Sequence, residues 1–280
     1  MVGQRGIEVK TTEQIQAMRK AGLVVAEALI AMGEAVRAGV RTADLDAVAR
    51  TVLADNGAVS SFLNYGAQWG IAPYPATVCI SVNEVVVHGI PGDRVLADGD
   101  IVSVDFGAIV DGWHGDAART FIVGGRTDPE AADLVEITRK AMWDGVAAVA
   151  TAKRVGDISG AIQASADHCG RRVGIVREYT GHGIGSAMHQ NPDVPNFGYA
   201  RRGPRLSAGM CLAIEPIFTL GSPGTVELDD EWTAVTDDGS WAAHWENTVA
   251  ITQDGIWVLT ELDGGRAELA ARGVVIDELG

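Results

Sequence analysis

The stretch Asp100-Ile-Val-Ser-Val-Asp105-Phe-Gly-Ala-Ile-Val-Asp111-Gly112-Trp-His114-Gly-Asp116 aims two carboxylates from one ribbon. Asp111-Gly112, set between apolar β-branched runs, is a two-residue hairpin signal. That turn opposes Val110 to Trp113 and Asp105 to Ala118. Asp116 then lies diagonal to Asp105 on the same face, roughly 7–8 Å away at the backbone. Two like charges so placed cost energy unless a cation or a shared proton compensates them. Taken alone, the pair would also read as the solvated face of an ordinary hairpin.

A second acidic pair, about 110 residues downstream, changes that reading. His88-Gly89-Ile90 returns as His182-Gly183-Ile184. Leu96-x-x-Gly99-x-x-Val102-Ser103-Val104-Asp105 returns as Leu206-x-x-Gly209-x-x-Leu212-Ala213-Ile214-Glu215. His114-x-Asp116 returns as His244-x-Glu246. Three matches in one order predict an internal duplication, with Asp105 and Asp116 across a pseudo-twofold from Glu215 and Glu246. Four converging buried carboxylates are not a credible core without compensation, and a pair of divalent cations supplies it. His182 sits in Thr180-Gly-His-Gly-Ile-Gly185, where glycines remove the bulk that would keep an imidazole away. Four carboxylates and one nitrogen form a hard donor set suited to Mn, Fe, Co or Zn, not to a thiolate zinc site.

The elements that must position these residues read as helices followed by strands, twice. Thr11-Thr12-Glu13-Gln14 is a capping box, and Ile15, Met18, Gly22, Val25, Leu29, Met32 and Val36 step at three and four, predicting a long helix closed near Gly39. A second helix is expected from Thr42–Asp44 to Asn56-Gly57. Residues 58–76 read as strand and loop, with strands at about 77–87, 100–110 and 116–123. Asp128-Pro129 opens a third helix, with Leu134, Ile137, Ala141 and Val149 on its buried side, and Asp157-Ile158 a fourth through about Arg172. Strands and glycine-rich loops follow to Ile251, with a last strand near Ile256–Leu259. Residues 1–10 read as a loosely held arm and 263–280 as a polar tail without a core role. This order implies α+β, with helices covering one face of a curved antiparallel sheet.

The totals narrow the function class. A chain of 280 residues has ample length for a buried core, and a net charge of −15 argues against a polyanionic partner such as DNA. No apolar run reaches the ~20 residues that span a bilayer, and the N-terminus lacks a signal-peptide core. Cys79, Cys169 and Cys211 are widely spaced in apolar surroundings, as reduced cytoplasmic thiols would be.

Together, His88-Gly-Ile-Pro91, the Asp105/Asp116 hairpin, Gly181-His-Gly-Ile-Gly185 with His189 seven residues on, Glu215-Pro216 and Glu246 resemble type I methionine aminopeptidase. The resemblance spans about residues 11–262. It implies the pita-bread (creatinase/aminopeptidase) fold, an internally duplicated α+β domain with a central dimetal site. The implied layout is an N-terminal arm at 1–10, one catalytic domain at 11–262 made of pseudo-repeats of about 11–125 and 126–262, and a C-terminal tail at 263–280. By this resemblance Asp105 chelates the first metal, Asp116 and Glu246 bridge both, and His182 and Glu215 bind the second. The implied activity is removal of the initiator methionine from peptides with a small second residue, by a hydroxide bridging the two metals. His189 would donate to the carbonyl oxygen as it becomes an oxyanion, and Glu215 would shuttle a proton. His88 would bond the scissile nitrogen or help to protonate the leaving amine; an ordinary loop histidine is its other reading. His114 and His244, each two residues from a bridging acid, read either as partners of the metal ligands or as plain surface or core histidines.

Tyr65, Tyr74, Cys79 and Trp232 fall where the family lines its methionine pocket, and as core aromatics otherwise. Residues 66–73 are extra length there, and Met188 stands where the family often has an aromatic. The implied partners are N-terminal methionine peptides and nascent chains, with the ribosome that presents them, and the implied state is a cytoplasmic monomer without DNA or membrane contacts. An X-Pro aminopeptidase or prolidase on the same fold is the enzyme rival. It usually carries a further N-terminal domain, for which the helix at Thr12 leaves no room. A non-catalytic pita-bread binding protein is the other rival; such proteins typically lose ligands, and all five are present.

Overall fold

In the computed structural model, residues 6–67, 70–124 and 128–279 are described. The first half runs α1 (Thr12–Ala35), α2 (Thr42–Asp55), β1 (Val59–Ser60), β2 (Cys79–Val82), β3 (Val85–Val87), β4 (Ile101–Val110) and β5 (Trp113–Ile122). The second half opens with α3 (Pro129–Val149), α4 (Val155–Asp167), β6 (Gly174–Ile175), β7 (Gly181–Gly183) and β8 (Gln190–Val194). It continues through β9 (Cys211–Ile214), β10 (Ile217–Thr219), β11 (Thr225–Glu227), β12 (Ala234–Thr236) and β13 (Ala242–His244). It closes with β14 (Asn247–Ile251), β15 (Ile256–Val258) and α5 (Arg266–Ala270). The junction expected between the pseudo-repeats, at 125–127, and residues 1–5 of the arm lie outside the described residues. No helix among the described residues is long and apolar enough to cross a membrane.

The central hairpin folds as its sequence dictates. Asp111 and Gly112 both have positive φ, 51° and 82°, the geometry of a turn that follows strand twist. The register runs from Val110↔Trp113 through Asp105↔Ala118 to Ile101↔Ile122, with Asp116 opposite Gly107. Both aspartates therefore leave one face of the ribbon. In the first half α1 and α2 bury Val25, Leu29 and Leu45 against Val102, Val104 and Phe106. In the second, α3 and α4 bury Leu134, Met142, Ile158 and Ile162 against Leu212 and Ile214.

The duplication is written in matching backbone bonds. Gly99 and Gly209 have φ near 90° (91° and 90°), and their N–H groups donate to Val123 O and Ile251 O, both at 2.8 Å. Arg41 and Arg154 cap α2 and α4, each donating its backbone N–H to an aspartate three residues on, Asp44 and Asp157, at 3.0 Å. The two halves meet where Ala118 and Glu246 exchange N–H···O bonds of 3.3 and 3.0 Å. Around that exchange, Thr248 Oγ1 donates to Asp116 O at 2.8 Å, and Thr120 Oγ1 to His244 O at 2.7 Å. The pseudo-twofold therefore pairs Asp116 with His244 and Ala118 with Glu246.

Two of the three sequence matches are thus out of structural register. Asp105 and Glu215 do correspond, but His114-x-Asp116 and His244-x-Glu246 are offset by two residues. His182 lies on β7, which pairs directly with β9, whereas His88 follows β3, which pairs with β12 in another sheet while β4 takes β2 as its partner. The His-Gly-Ile likeness joins non-equivalent positions.

Several boundaries also move. Val36 is extended, so α1 ends at Ala35, and Gly39 (φ 88°) serves the following turn by donating to Leu96 O. Asp157 is inside the first turn of α4, which therefore begins at Val155, and the helix stops at Asp167. The described parts of the arm and the tail are tied to the body: Ile7 is buried and bridges to Asn191, and Lys10 N–H donates to Gly209 O at 2.7 Å. In the tail, Leu269 of α5 is fully buried, and Ile276 bridges to Ile256. Leu269→Ala is expected to destabilise the protein by about 2–4 kcal/mol, read as a lower denaturant midpoint, since it removes a buried side chain from the larger core. A midpoint unchanged from the parent would make the tail an ornament.

Candidate active site

One cavity of ≈ 750 Å³ opens at the meeting of the two halves, and every residue expected as a metal ligand, a catalytic histidine or a pocket wall lines it. Asp105 comes from β4 and Asp116 from β5. Glu215 immediately follows β9, Glu246 immediately precedes β14, and His182 is the middle residue of β7. Ligand atoms of Asp116, His182 and Glu246 lie within 4.8 Å of one another. His182 Nε2 is 3.5 Å from Glu215 Oε1.

The electrostatics of this floor call for positive charge. Burial pushes the carboxyls of Asp105, Glu215 and Glu246 well up, and the neighbouring acids push the same way, with Arg119 opposing at Glu246. Burial lifts Asp116 to about 7. Asp105 Oδ1, Asp116 Oδ1 and Glu246 Oε1 are buried without a hydrogen-bond partner, which is costly unless a cation completes them. His182 donates its Nδ1–H to Gly183 O at 2.9 Å, so its Nε2 lone pair is free to face the acids. Burial holds this imidazole neutral, its pKa down to about 3. The donors are hard, converge and lack partners, so divalent metal fits.

The other histidines separate. His189 is exposed at the rim, with its ring 4.3 Å from that of the buried His182, centroid to centroid. The arm pins the loop that carries it: Lys10 Nζ donates to Gln190 Oε1 at 3.2 Å, and Ser186 N–H donates to Glu8 Oε2 at 3.1 Å. His88, with φ 58°, meets the ring edges of Tyr179 and Trp232 at 5.3 and 6.0 Å. His114 turns away to Ser61 Oγ at 3.0 Å and is not part of the cavity wall. His244 does line it, with Nε2 3.8 Å from Glu215 Oε2.

Beside the acids is an apolar pocket. Tyr74, Cys79, Phe62 and Met188 are buried together, with Tyr65, Ile90 and Trp232 packed against them. Tyr74 donates its O–H toward Val78 O and Gly89 O at 3.1 and 3.0 Å, and Trp232 donates Nε1–H to Ala72 O at 2.7 Å. Met188 fills space in this cluster. The ends of the stretch 66–73, expected as extra length, are drawn together by Tyr74 N–H donating to Tyr65 O at 2.9 Å; Gln68 and Trp69 within it lie outside the described residues. Phe62, Tyr179 and Arg119 escaped the sequence reading. Phe62 was signalled only by its place three residues before Tyr65. Arg119 donates Nη1–H to Glu246 O at 2.6 Å and Nη2–H to Glu261 Oε1 at 2.5 Å, bracing Glu246 from behind.

The profile of metallopeptidase family M24 matches residues 16–253. The chain belongs to metallopeptidase family M24. Among M24 relatives, methionine aminopeptidase 1 of Mycobacterium tuberculosis is 48% identical over 263 residues, covering 92% of this chain and 96% of the relative. The crystal structure of methionine aminopeptidase from Thermotoga maritima superposes with a TM-score of 0.86 at 39% identity, covering 91% of this chain and 99% of that one. The prolidase from Pyrococcus furiosus shares the fold, with a TM-score of 0.70 at 22% identity, but this chain covers only 65% of it. The M24 pita-bread architecture thus accounts for the paired halves and for the buried acids between them.

Proposed function

We propose that this M24 peptidase removes N-terminal methionine from peptides and nascent proteins. The observation that carries the reading is a buried set of four carboxylates and one imidazole that opens onto an apolar pocket walled by Phe62, Tyr65, Tyr74 and Trp232. Four negative charges match two divalent cations, from among Co, Mn, Fe and Zn, better than one. Asp105 would chelate the first, Asp116 and Glu246 would bridge both, and His182 and Glu215 would hold the second. Metal held there supplies Lewis acidity and lowers the pKa of water toward neutrality.

The chain's own groups do the rest. The pocket takes an unbranched thioether, which suits aromatic walls, and so fixes the first residue of the substrate. His189, at the rim, donates to the scissile carbonyl oxygen as negative charge develops on it. His88 bonds the scissile nitrogen, and Glu215 takes a proton from the attacking water and returns it to the leaving amine. The unit doing this spans residues 11–262, working as a cytoplasmic monomer on chains presented by the ribosome.

Cleavage of Met-Ala-Ser against Ala-Pro-Ala across a panel of divalent metals tests the reading. Turnover of the first alone supports it, turnover of the second alone favours the X-Pro peptidase, and turnover of neither with any metal favours a binding protein. The second residue is expected to be small, because the metals and His88 hold the backbone close to the wall. Met-Ala peptides should exceed Met-Trp peptides by about 10²-fold in kcat/KM, near 2.7 kcal/mol. Equal values for the two would refute a closed second subsite.

A further inference from the structure

We propose that Tyr65 is a positioning residue: its phenol O–H donates to His189 Nδ1 and fixes the imidazole in the tautomer whose Nε2 carries the hydrogen. The inference rests on the reading of His189 as donor to the scissile carbonyl, and it explains what makes His189 one. The Tyr65 hydroxyl and His189 Nδ1 are hydrogen-bonded, and the rings meet edge to face with centroids 5.3 Å apart.

Both partners are held from behind. Tyr65 N–H donates to Phe62 O, and Tyr65 O accepts from Tyr74 N–H, each at 2.9 Å. His189 is followed by Gln190, whose side chain is tied to Lys10 and, through Nε2–H, to Ser186 Oγ at 3.2 Å. The contact is thus between two anchored backbones and does not depend on a wandering side chain.

The direction of the bond follows from acidity. A phenol is a far stronger proton donor than a neutral imidazole N–H, and an imidazole nitrogen is a far better acceptor than a phenol oxygen. Burial raises the Tyr65 phenol to about 12, so it keeps its proton at neutral pH. The reverse arrangement would aim a bare Nε2 lone pair into a cavity that already holds four carboxylates. The adjacent imidazole shows the contrast. His182 gives its Nδ1–H to a carbonyl, which leaves Nε2 bare for a cation. His189 receives a hydrogen at Nδ1, which leaves Nε2–H for an anion. Two touching rings are thereby set in opposite tautomers, one suited to metal and one to a developing oxyanion.

Tyr65→Phe keeps the ring and its packing and removes only the hydroxyl. With metal saturating, kcat on a Met-Ala peptide is expected to fall about 10- to 100-fold, a usual range for losing the partner that orients a histidine, with KM within about twofold. A residue that merely walls the pocket would instead raise KM and spare kcat, and that outcome overturns the proposal. In a His189→Ala background the same change should add almost nothing; full additivity also overturns it. A long-range ¹⁵N–¹H spectrum of the zinc-loaded enzyme supplies a readout independent of turnover. It should show His189 protonated at Nε2, changing to a mixture in Tyr65→Phe, and protonation at Nδ1 in the parent would overturn the assignment. If His189→Ala keeps full kcat, the donor reading fails while the spectrum still reports on the tautomer, so the two failures are distinguishable.

Discussion

Chelator-stripped protein is expected to lose peptidase activity entirely and to recover it on addition of Mn, Co or Fe. The expectation rests on four buried carboxylates raised together in pKa, three of them with an oxygen that lacks any hydrogen-bond partner. Asp116→Asn, which removes one charge from the middle of this set, should behave like the stripped protein at low metal. Full turnover by a sample verified metal-free would sink the mechanism. A stability signature should accompany the loss. A carboxyl whose folded pKa is raised binds more protons folded than unfolded, so it stabilises least where the unfolded group is already ionised. For Asp116, lifted from 3.8 to about 7, the contribution to metal-free stability should fall as pH rises through that window, and added metal should restore it. Below about pH 6.5 the buried histidines, lowered to about 3 or 4, act in the opposite sense, so the carboxyl effect stands alone only above it. Thermal melts from pH 6.5 to pH 8, with and without Mn, check the sign; a metal-free protein that gains stability over that range would contradict it.

The sequence made the hairpin legible because two local rules agree there. Asp111-Gly112 can take positive φ at both positions, and the two-residue period of the strands then fixes which side chains share a face. The Leu-x-x-Gly repeat was equally readable, since Gly99 and Gly209 answer the same backbone demand. The acids of β5 and β14 were not readable in register. A two-residue slip preserves which face a strand residue occupies, so periodicity could not reveal that Asp116 corresponds to His244 and not to Glu246. Only the reciprocal bonds between Ala118 and Glu246, made across 128 residues of chain, settle that correspondence. The tail failed for a different reason. A helix of five residues carries too little pattern, and the burial of Leu269 depends on a core assembled elsewhere. The pocket was legible through family likeness, because aromatics spread from Phe62 to Trp232 converge by tertiary packing and not by spacing.

His182→Ala and His189→Ala are expected to fail in different ways, although the two residues stand seven apart and their rings touch. His182 is buried on the floor, and its Nε2 is directed at Glu215. Gly183 cannot bear a Cβ, which would come within 2.3 Å of Asn191 O, so β7 is held close to β8 and His182 has little freedom to withdraw. As the nitrogen donor of the set, its loss leaves one metal with oxygen ligands alone, and metal affinity should drop markedly. His189 stands at the rim on a loop tied to the arm and contributes an N–H instead of a lone pair. Its removal should leave both metals bound and cost about 10²–10³ in kcat, or roughly 3–4 kcal/mol, as the loss of one oxyanion donor does elsewhere. Calorimetric titration of each variant with Mn or Co, beside kinetics at saturating metal, reads both quantities separately. Loss of metal in His189→Ala with retention in His182→Ala would mean that the rim residue is the ligand and the floor residue is not, and the roles drawn from the Gly183 and Tyr65 hydrogen bonds would then fail.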